Sequence, residues 1–219
     1  MADNPLDRVA TYFADTIQKH GATARGAGWR DQQSQELRFS KLVQVTRGAK
    51  TGRIVEVGCG WGAFALWAAR QGFDFEYIGY DISPDMISAA RSACENLDKA
   101  SFEIGAGPFA PADWVIASGT MSVRLDIPDA EWRKQVDKTI DAMAQSARLG
   151  FAFNFLTGYS DPDRKESYLY YPYPGEMLDS VMSRHGRTAM LLHDYPLYEF
   201  TIVVHKFDER RRAGEESQQ

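Results

Sequence analysis

The feature that most limits what this chain can fold into is a short apolar strand, Ile54-Val55-Glu56-Val57. It breaks at Gly58-Cys59-Gly60-Trp61-Gly62 and restarts as the helical run Ala63 to Ala69. A strand that turns into a helix through close-set glycines offers a ligand bare backbone and helix-terminal N–H groups. Spacing limits which ligand. A dinucleotide site reads G-x-G-x-x-G, whereas here a single residue, Trp61, separates the second and third glycines. The preceding carboxylate, Glu56, would repel a pyrophosphate and suits a cationic ligand. A second strand, Phe75 to Tyr80, ends at Asp81, 19 residues beyond Gly62, where a doubly wound fold places a ribose diol. The plain alternative is a tight turn followed by a capping aspartate. The joint occurrence of turn, acid and distant aspartate in one strand context favours the ligand.

Around this unit, strands and helices alternate. Ser83 and Pro84 start a helix whose buried face carries Met86, Ile87, Ala90, Cys94 and Leu97. Further strands are expected at 101–104, 114–117 and 150–155, with a helix over 128–147 striped by Trp132, Val136, Ile140 and Met143. A helix near 174–183 precedes two closing strands, 188–192 and 200–205, too close together for a crossover helix and therefore an antiparallel hairpin. The expected fold is α/β, a Rossmann-like, mostly parallel doubly wound sheet. Residues 50–207 form this domain. Residues 1–49 read as a helical cap, with helices at 6–17 and 33–45 joined by a glycine-rich connection ending in Trp29-Arg30, either a plain surface loop or a lid over a ligand. Residues 208–219 read as a polar tail, and the whole as a single structural domain.

The glycine turn from Glu56 to Gly62, the segment Tyr80-Asp81-Ile82-Ser-Pro-Asp-Met86 and the closing hairpin together resemble the class I S-adenosylmethionine (SAM) dependent methyltransferases, over roughly residues 50 to 207. The resemblance implies a seven-stranded sheet with an antiparallel last strand and SAM as cofactor. It further implies that Gly58 and Gly60 approach the methionine part of SAM, Asp81 accepts from both ribose hydroxyls and Ile82 packs on the adenine. Glu56, Cys59, Ser118, Arg38 and Trp29 complete the candidate cofactor set, Arg38 as a partner for the cofactor carboxylate or else a solvated helix face or surface ion pair. One departure is evident. Where many relatives carry an aspartate after the third strand for the adenine amine, this chain reads Gly105-Ala106-Gly107. A wider similarity, through Phe153-Asn154-Phe-Leu-Thr157 and Leu192 to Phe200, is to bacterial methyltransferases without a defined substrate.

In a parallel sheet the loops after the strands gather on one edge, where ligands bind. Seven of the ten tyrosines fall in two of those loops: Tyr159, Tyr168, Tyr170, Tyr171, Tyr173, Tyr195 and Tyr198. Aromatic faces attract a sulfonium, so Tyr159, Tyr170, Tyr171 and Tyr198 are candidate pocket residues; the alternative is a wall between loop and core. The catalytic candidates are His193 as general base, Asn154 as acceptor-orienting residue and Tyr195 beside them. For His193 the competing reading is a packed residue closing a strand. For Asn154 it is a structural hydrogen bond.

Composition narrows the partners. A net charge of −5, with the only dense basic cluster at Arg210-Arg211-Arg212, argues against nucleic acid. The sequence Ala117-Ser118-Gly119-Thr120-Met121 lacks the Asn/Asp-Pro-Pro-aromatic pattern of DNA adenine enzymes. Two cysteines and four scattered histidines make no metal site. No leader or membrane-spanning stretch is evident. The expectation is a cytoplasmic, biosynthetic SAM-dependent methyltransferase for a small-molecule substrate, a monomer or homodimer without membrane attachment. Two alternatives stay open: an enzyme of this fold that cyclises SAM and expels methylthioadenosine, as in azetidine-2-carboxylate formation, and a SAM-binding module without catalysis.

Overall fold

The computed structural model describes residues 5–206. The expected polar tail and its arginine cluster lie outside the described residues. Seven strands form one sheet: β1 (Thr51–Val57), β2 (Asp74–Asp81), β3 (Ala100–Ile104), β4 (Ala112–Ala117), β5 (Ala147–Leu156), β6 (Ala189–Leu192) and β7 (Glu199–His205), in the order β3-β2-β1-β4-β5-β7-β6. All pairings are parallel except those of β7, which runs antiparallel to both β5 and β6. The order reverses between β1 and β4, and at such a switch point the strand ends splay to leave a crevice.

Alternation along the central strands divides the core in two. Val55, Val57, Val115, Ala117, Phe151 and Phe153 point to one face, where α5 (Asp129–Ser146) and α6 (Pro174–His185) cover them. Ile54, Ile116, Ala152 and Val203 point to the other, against α2 (Gln32–Leu42), α3 (Ala63–Arg70) and α4 (Pro84–Ala93). Both faces are apolar because a doubly wound sheet is covered on both sides.

No helix connects β3 to β4. The face of the sheet left open there is met by α1 (Pro5–His20), whose Val9 is buried in the same core as Val55 and Val57, with Leu6 and Phe13 packed alongside. Arg8 ion-pairs with Asp126 in the loop after β4, and Gln18 lies 3.5 Å from Asp85 at the start of α4. The helix thus runs as a strap across the C-terminal edge of the sheet.

Element boundaries differ from the sequence reading by a few residues, and two of the differences have a visible cause. The second helix, expected to reach residue 45, stops at Leu42 and tightens into a 3-10 turn, Val43–Thr46, before Arg47 and Gly48 reverse the chain with positive φ. Strand β5, expected from Gly150, starts at Ala147 directly from α5, because Ala147 is buried and registers with Ala112 of β4.

Candidate functional site

A cavity of about 280 Å³ opens at the switch point. Its floor is the glycine turn after β1. The N–H groups of Gly58 and Cys59 both donate to the Tyr80 carbonyl, at 2.7 and 2.9 Å, tying the turn to β2. Gly58 has φ +69°, and a Cβ there would stand 2.1 Å from Thr120 Oγ1, whose hydroxyl donates to the Val57 carbonyl at 2.8 Å. The turn is thereby held flat against the end of β4, as a ligand lying on backbone requires.

Asp81 closes the next side. Its Oδ2 accepts from Gly60 N and its Oδ1 from Ser83 N, both at 2.9 Å, so each oxygen keeps a further lone pair. Burial raises its pKa, opposed by the backbone N–H groups of Ser83, Gly60 and Ile82. Glu56, 2% exposed, accepts from the Tyr77 hydroxyl at 2.5 Å. Burial pushes its carboxyl up to about 8, more than the Tyr77 hydrogen bond lowers it. A cation settling beside Glu56 would restore its charge.

Arg38, on α2, is neither solvated nor in a surface pair. Its Nε donates to Glu199 Oε2 at 2.7 Å and its Nη2 to Oε1, with both residues buried at the cavity wall. The guanidinium lies 4.0 Å from the Trp29 ring. Trp29 in turn rests on Gly119, φ +67°, where a Cβ would come within 2.0 Å of the indole. This fixes the glycine-rich connection over the cavity, and Trp61 Nε1, donating to the Thr23 carbonyl at 2.9 Å, adds a second anchor.

Nine sequence candidates line the cavity: Trp29, Arg38, Glu56, Gly58, Cys59, Gly60, Asp81, Ile82 and Ser118. The acceptor-side candidates do not. His193 is exposed, its ring 6.1 Å from that of Tyr159 and outside the cavity, because β6 ends at Leu192 on the far edge of the sheet. Tyr195 is buried with its hydroxyl 2.9 Å from Thr201 Oγ1. Tyr170 packs in the core against Phe155, Tyr171 lies under Lys165, and Tyr159 and Tyr198 are 65% and 47% exposed. Asn154 lies outside the lining; its Oδ1 accepts from Gly119 N at 2.6 Å, while its Nδ2 is buried without a hydrogen-bond partner.

The remaining walls come from residues that sequence reasoning missed. Among them are Leu6, Val9, Tyr12 and Phe13 of α1 and Trp132, Gln135, Val136 and Thr139 of α5, facing Thr120 to Val123 and Leu169 of the loops after β4 and β5. Trp132 Nε1 donates to the Met121 carbonyl at 2.8 Å, and the Tyr12 and Tyr168 rings meet at 6.1 Å to close the top. The apolar stripe of α1 was visible in the sequence, but its sharing of one cavity with α5 is tertiary and carries no periodic signal.

The donor set fits SAM. Two buried polar atoms at the cavity wall, Arg38 Nη1 and Ser118 Oγ, lack a hydrogen-bond partner within the protein. Such atoms are costly to bury unless a ligand meets them. SAM brings a carboxylate, an ammonium, a sulfonium and a diol to a wall holding one free guanidinium nitrogen, two carboxylates and bare backbone.

Comparison with known proteins agrees. Residues 54–146 match the family described as methyltransferase domain. A Mycobacterium tuberculosis protein named as a candidate methyltransferase, Rv1506c, is 38% identical over 164 residues, covering 75% of this chain and 99% of that protein. Among solved structures, the SAM complex of magnesium protoporphyrin IX methyltransferase from Synechocystis PCC 6803 superposes with a TM-score of 0.64 at 15% identity, covering 94% of this chain and 99% of that one. The SAM complex of human N-acetylserotonin methyltransferase gives 0.63 at 12% identity, covering 93% and 58%. The strand order with its antiparallel β7, the glycine turn tied to Asp81 and the similarity to Rv1506c place this chain in the class I SAM-dependent methyltransferases.

Proposed function

We propose that the enzyme methylates a small, largely apolar molecule held between α1, α5 and the loop after β4. The observation that carries this reading is the continuity of the cavity. The glycine turn and Asp81 face the same space as Leu6, Phe13, Trp132 and Val136, with no partition between them. In this reading Asp81 accepts from the ribose hydroxyls, Arg38 Nη1 meets the methionine carboxylate and Glu56 faces the cationic end. Ile82, Gly105 and Ala106 wall the adenine, whose amine is met by backbone because no side-chain acceptor stands there.

SAM supplies an activated methyl group on a sulfonium. The chain contributes positioning and exclusion of water: α1 and Trp29 cover the cavity, and the apolar wall opposite the glycine turn sets the acceptor in line with the methyl. The exposed tyrosines Tyr159 and Tyr198 and the peripheral His193 have no part in this step. Cys59 and Cys94 are both buried free thiols, which supports a reducing compartment such as the cytoplasm.

Incubation of the purified protein with SAM and a library of apolar small molecules, read by mass spectrometry, tests the reading. S-adenosylhomocysteine appearing with a methylated library member is the expected result. Methylthioadenosine released without any acceptor would replace methyl transfer with cyclisation of the donor.

A further inference from the structure

Among the described residues, the part of the cavity beyond the glycine turn offers no free base for an acceptor's proton. Among the described lining residues there is no histidine and no lysine. Each of the three carboxylates has a partner, Glu56 in Tyr77, Asp81 in the backbone of Gly60 and Ser83, and Glu199 in Arg38, and in the reading above Glu56 and Asp81 face the donor, not the acceptor. Tyr12 and Tyr168 bring the only phenols, and burial raises the pKa of Tyr168. Burial likewise holds the Cys59 thiol protonated. The polar atoms that remain, on Ser122, Gln135 and Thr139, do not titrate near neutrality.

The nearby cations are also engaged. Arg8 pairs with Asp126, and Arg30 with Asp31. Arg124 pairs with Asp129 and donates to the carbonyls of Leu125, Ile127 and Ser167. Arg133 on α5 pairs with Asp137. Arg38 is assigned above to the donor's carboxylate. The positive charge left to face the acceptor is then the sulfonium of the donor. Opposite charges attract more strongly between apolar walls than in water, and a transfer that cancels both is favoured there.

We infer that the acceptor is an apolar molecule arriving with its methyl-accepting atom already ionised, as an acidic phenol, a thiol or a carboxylic acid in anionic form. This rests on the acceptor lobe assigned above. The acceptor anion's lone pair forms the new bond to the methyl carbon while the carbon–sulfur bond breaks and its electron pair stays on sulfur. Two neutral products result and no proton moves. A neutral alcohol, which must shed a proton as it reacts, finds no base. An ammonium finds no free carboxylate. Discrimination then lies in the Trp132, Val136 and Phe13 walls and in the neutrality of Gln135.

The test uses para-substituted phenols of one shape and graded acidity, with matched benzyl alcohols. Binding is measured by calorimetry to the full chain loaded with SAM or with S-adenosylhomocysteine, and release of S-adenosylhomocysteine is followed against pH. Ionised members should bind about tenfold or more tighter to the SAM complex than to the S-adenosylhomocysteine complex, reflecting one close charge pair. The midpoint of the pH–rate curve should move with the acidity of each phenol. Gln135→Glu, which adds a carboxylate at constant size, should weaken binding of the ionised members to the SAM-loaded protein about tenfold relative to the uncharged benzyl alcohols. Equal affinity for both loaded forms, a midpoint fixed across the series, transfer to the benzyl alcohols, or no transfer to any phenol by protein that binds SAM would each overturn the inference. Failure to bind SAM at all would instead contradict the cofactor site.

Discussion

Glu56 illustrates how burial alters a residue's role. Its carboxyl is pushed up to about 8 from an ordinary value of 4.5, so its contribution to stability is complete below pH 4.5 and is lost as pH rises toward 8. Glu56→Gln keeps an acceptor for Tyr77 and removes that titration. The expected outcome is a urea midpoint that falls between pH 5 and pH 8 in the wild type, by a free energy on the order of a few kcal/mol, and changes much less in the variant. Equal slopes in both proteins would show that Glu56 is ionised throughout. Gly119 makes a second residue-scale case. Gly119→Ala forces a Cβ to within 2.0 Å of the Trp29 indole at a positive φ, and should cost about 1–3 kcal/mol in urea unfolding. Trp29→Ala in the same chain should recover the share that comes from the clash, leaving only the backbone strain.

At the scale of elements, the buried pair between Arg38 of α2 and Glu199 of β7 fastens the cap to the sheet. Removing one partner leaves the other charge buried, so Arg38→Met or Glu199→Leu alone should destabilise by about 3–5 kcal/mol. The double substitution should be far less costly than the sum, as a double-mutant cycle in urea would measure; simple addition would mean the pair is not coupled. The elements also show where the sequence was legible. Strand β1, its glycine turn and Asp81 could be read because local chemistry, a strand breaking at glycines and a carboxylate closing the next strand, determines them. The acceptor wall could not. Val9, Phe13, Val136 and Thr139 look like ordinary helix faces, and only the missing helix between β3 and β4 lets α1 reach them. The tyrosine-rich loops divide: Tyr168 lines the cavity, whereas Tyr170 turns into the core and Tyr159 toward solvent, a choice that residue type does not encode.

Over the whole molecule, one sheet with two apolar faces holds a crevice at its switch point, and α1 straps the crevice from Asp126 to Asp85. In the proposed reading the end of the crevice built from charge and backbone takes the cofactor and the end built from apolar side chains takes the acceptor. Fold and cofactor region were legible together because the alternation of strands and helices places the glycine turn at the strand ends. His193, read from its position after a strand, follows β6 at the edge of the sheet and does not line the cavity. The most direct measurement is a calorimetric titration of SAM into the wild-type protein and Asp81→Ala. The expected result is one-to-one binding weakened by about 1.5–3 kcal/mol in the variant, the cost of lost charge-assisted hydrogen bonds. Unchanged affinity would contradict the placement of the cofactor.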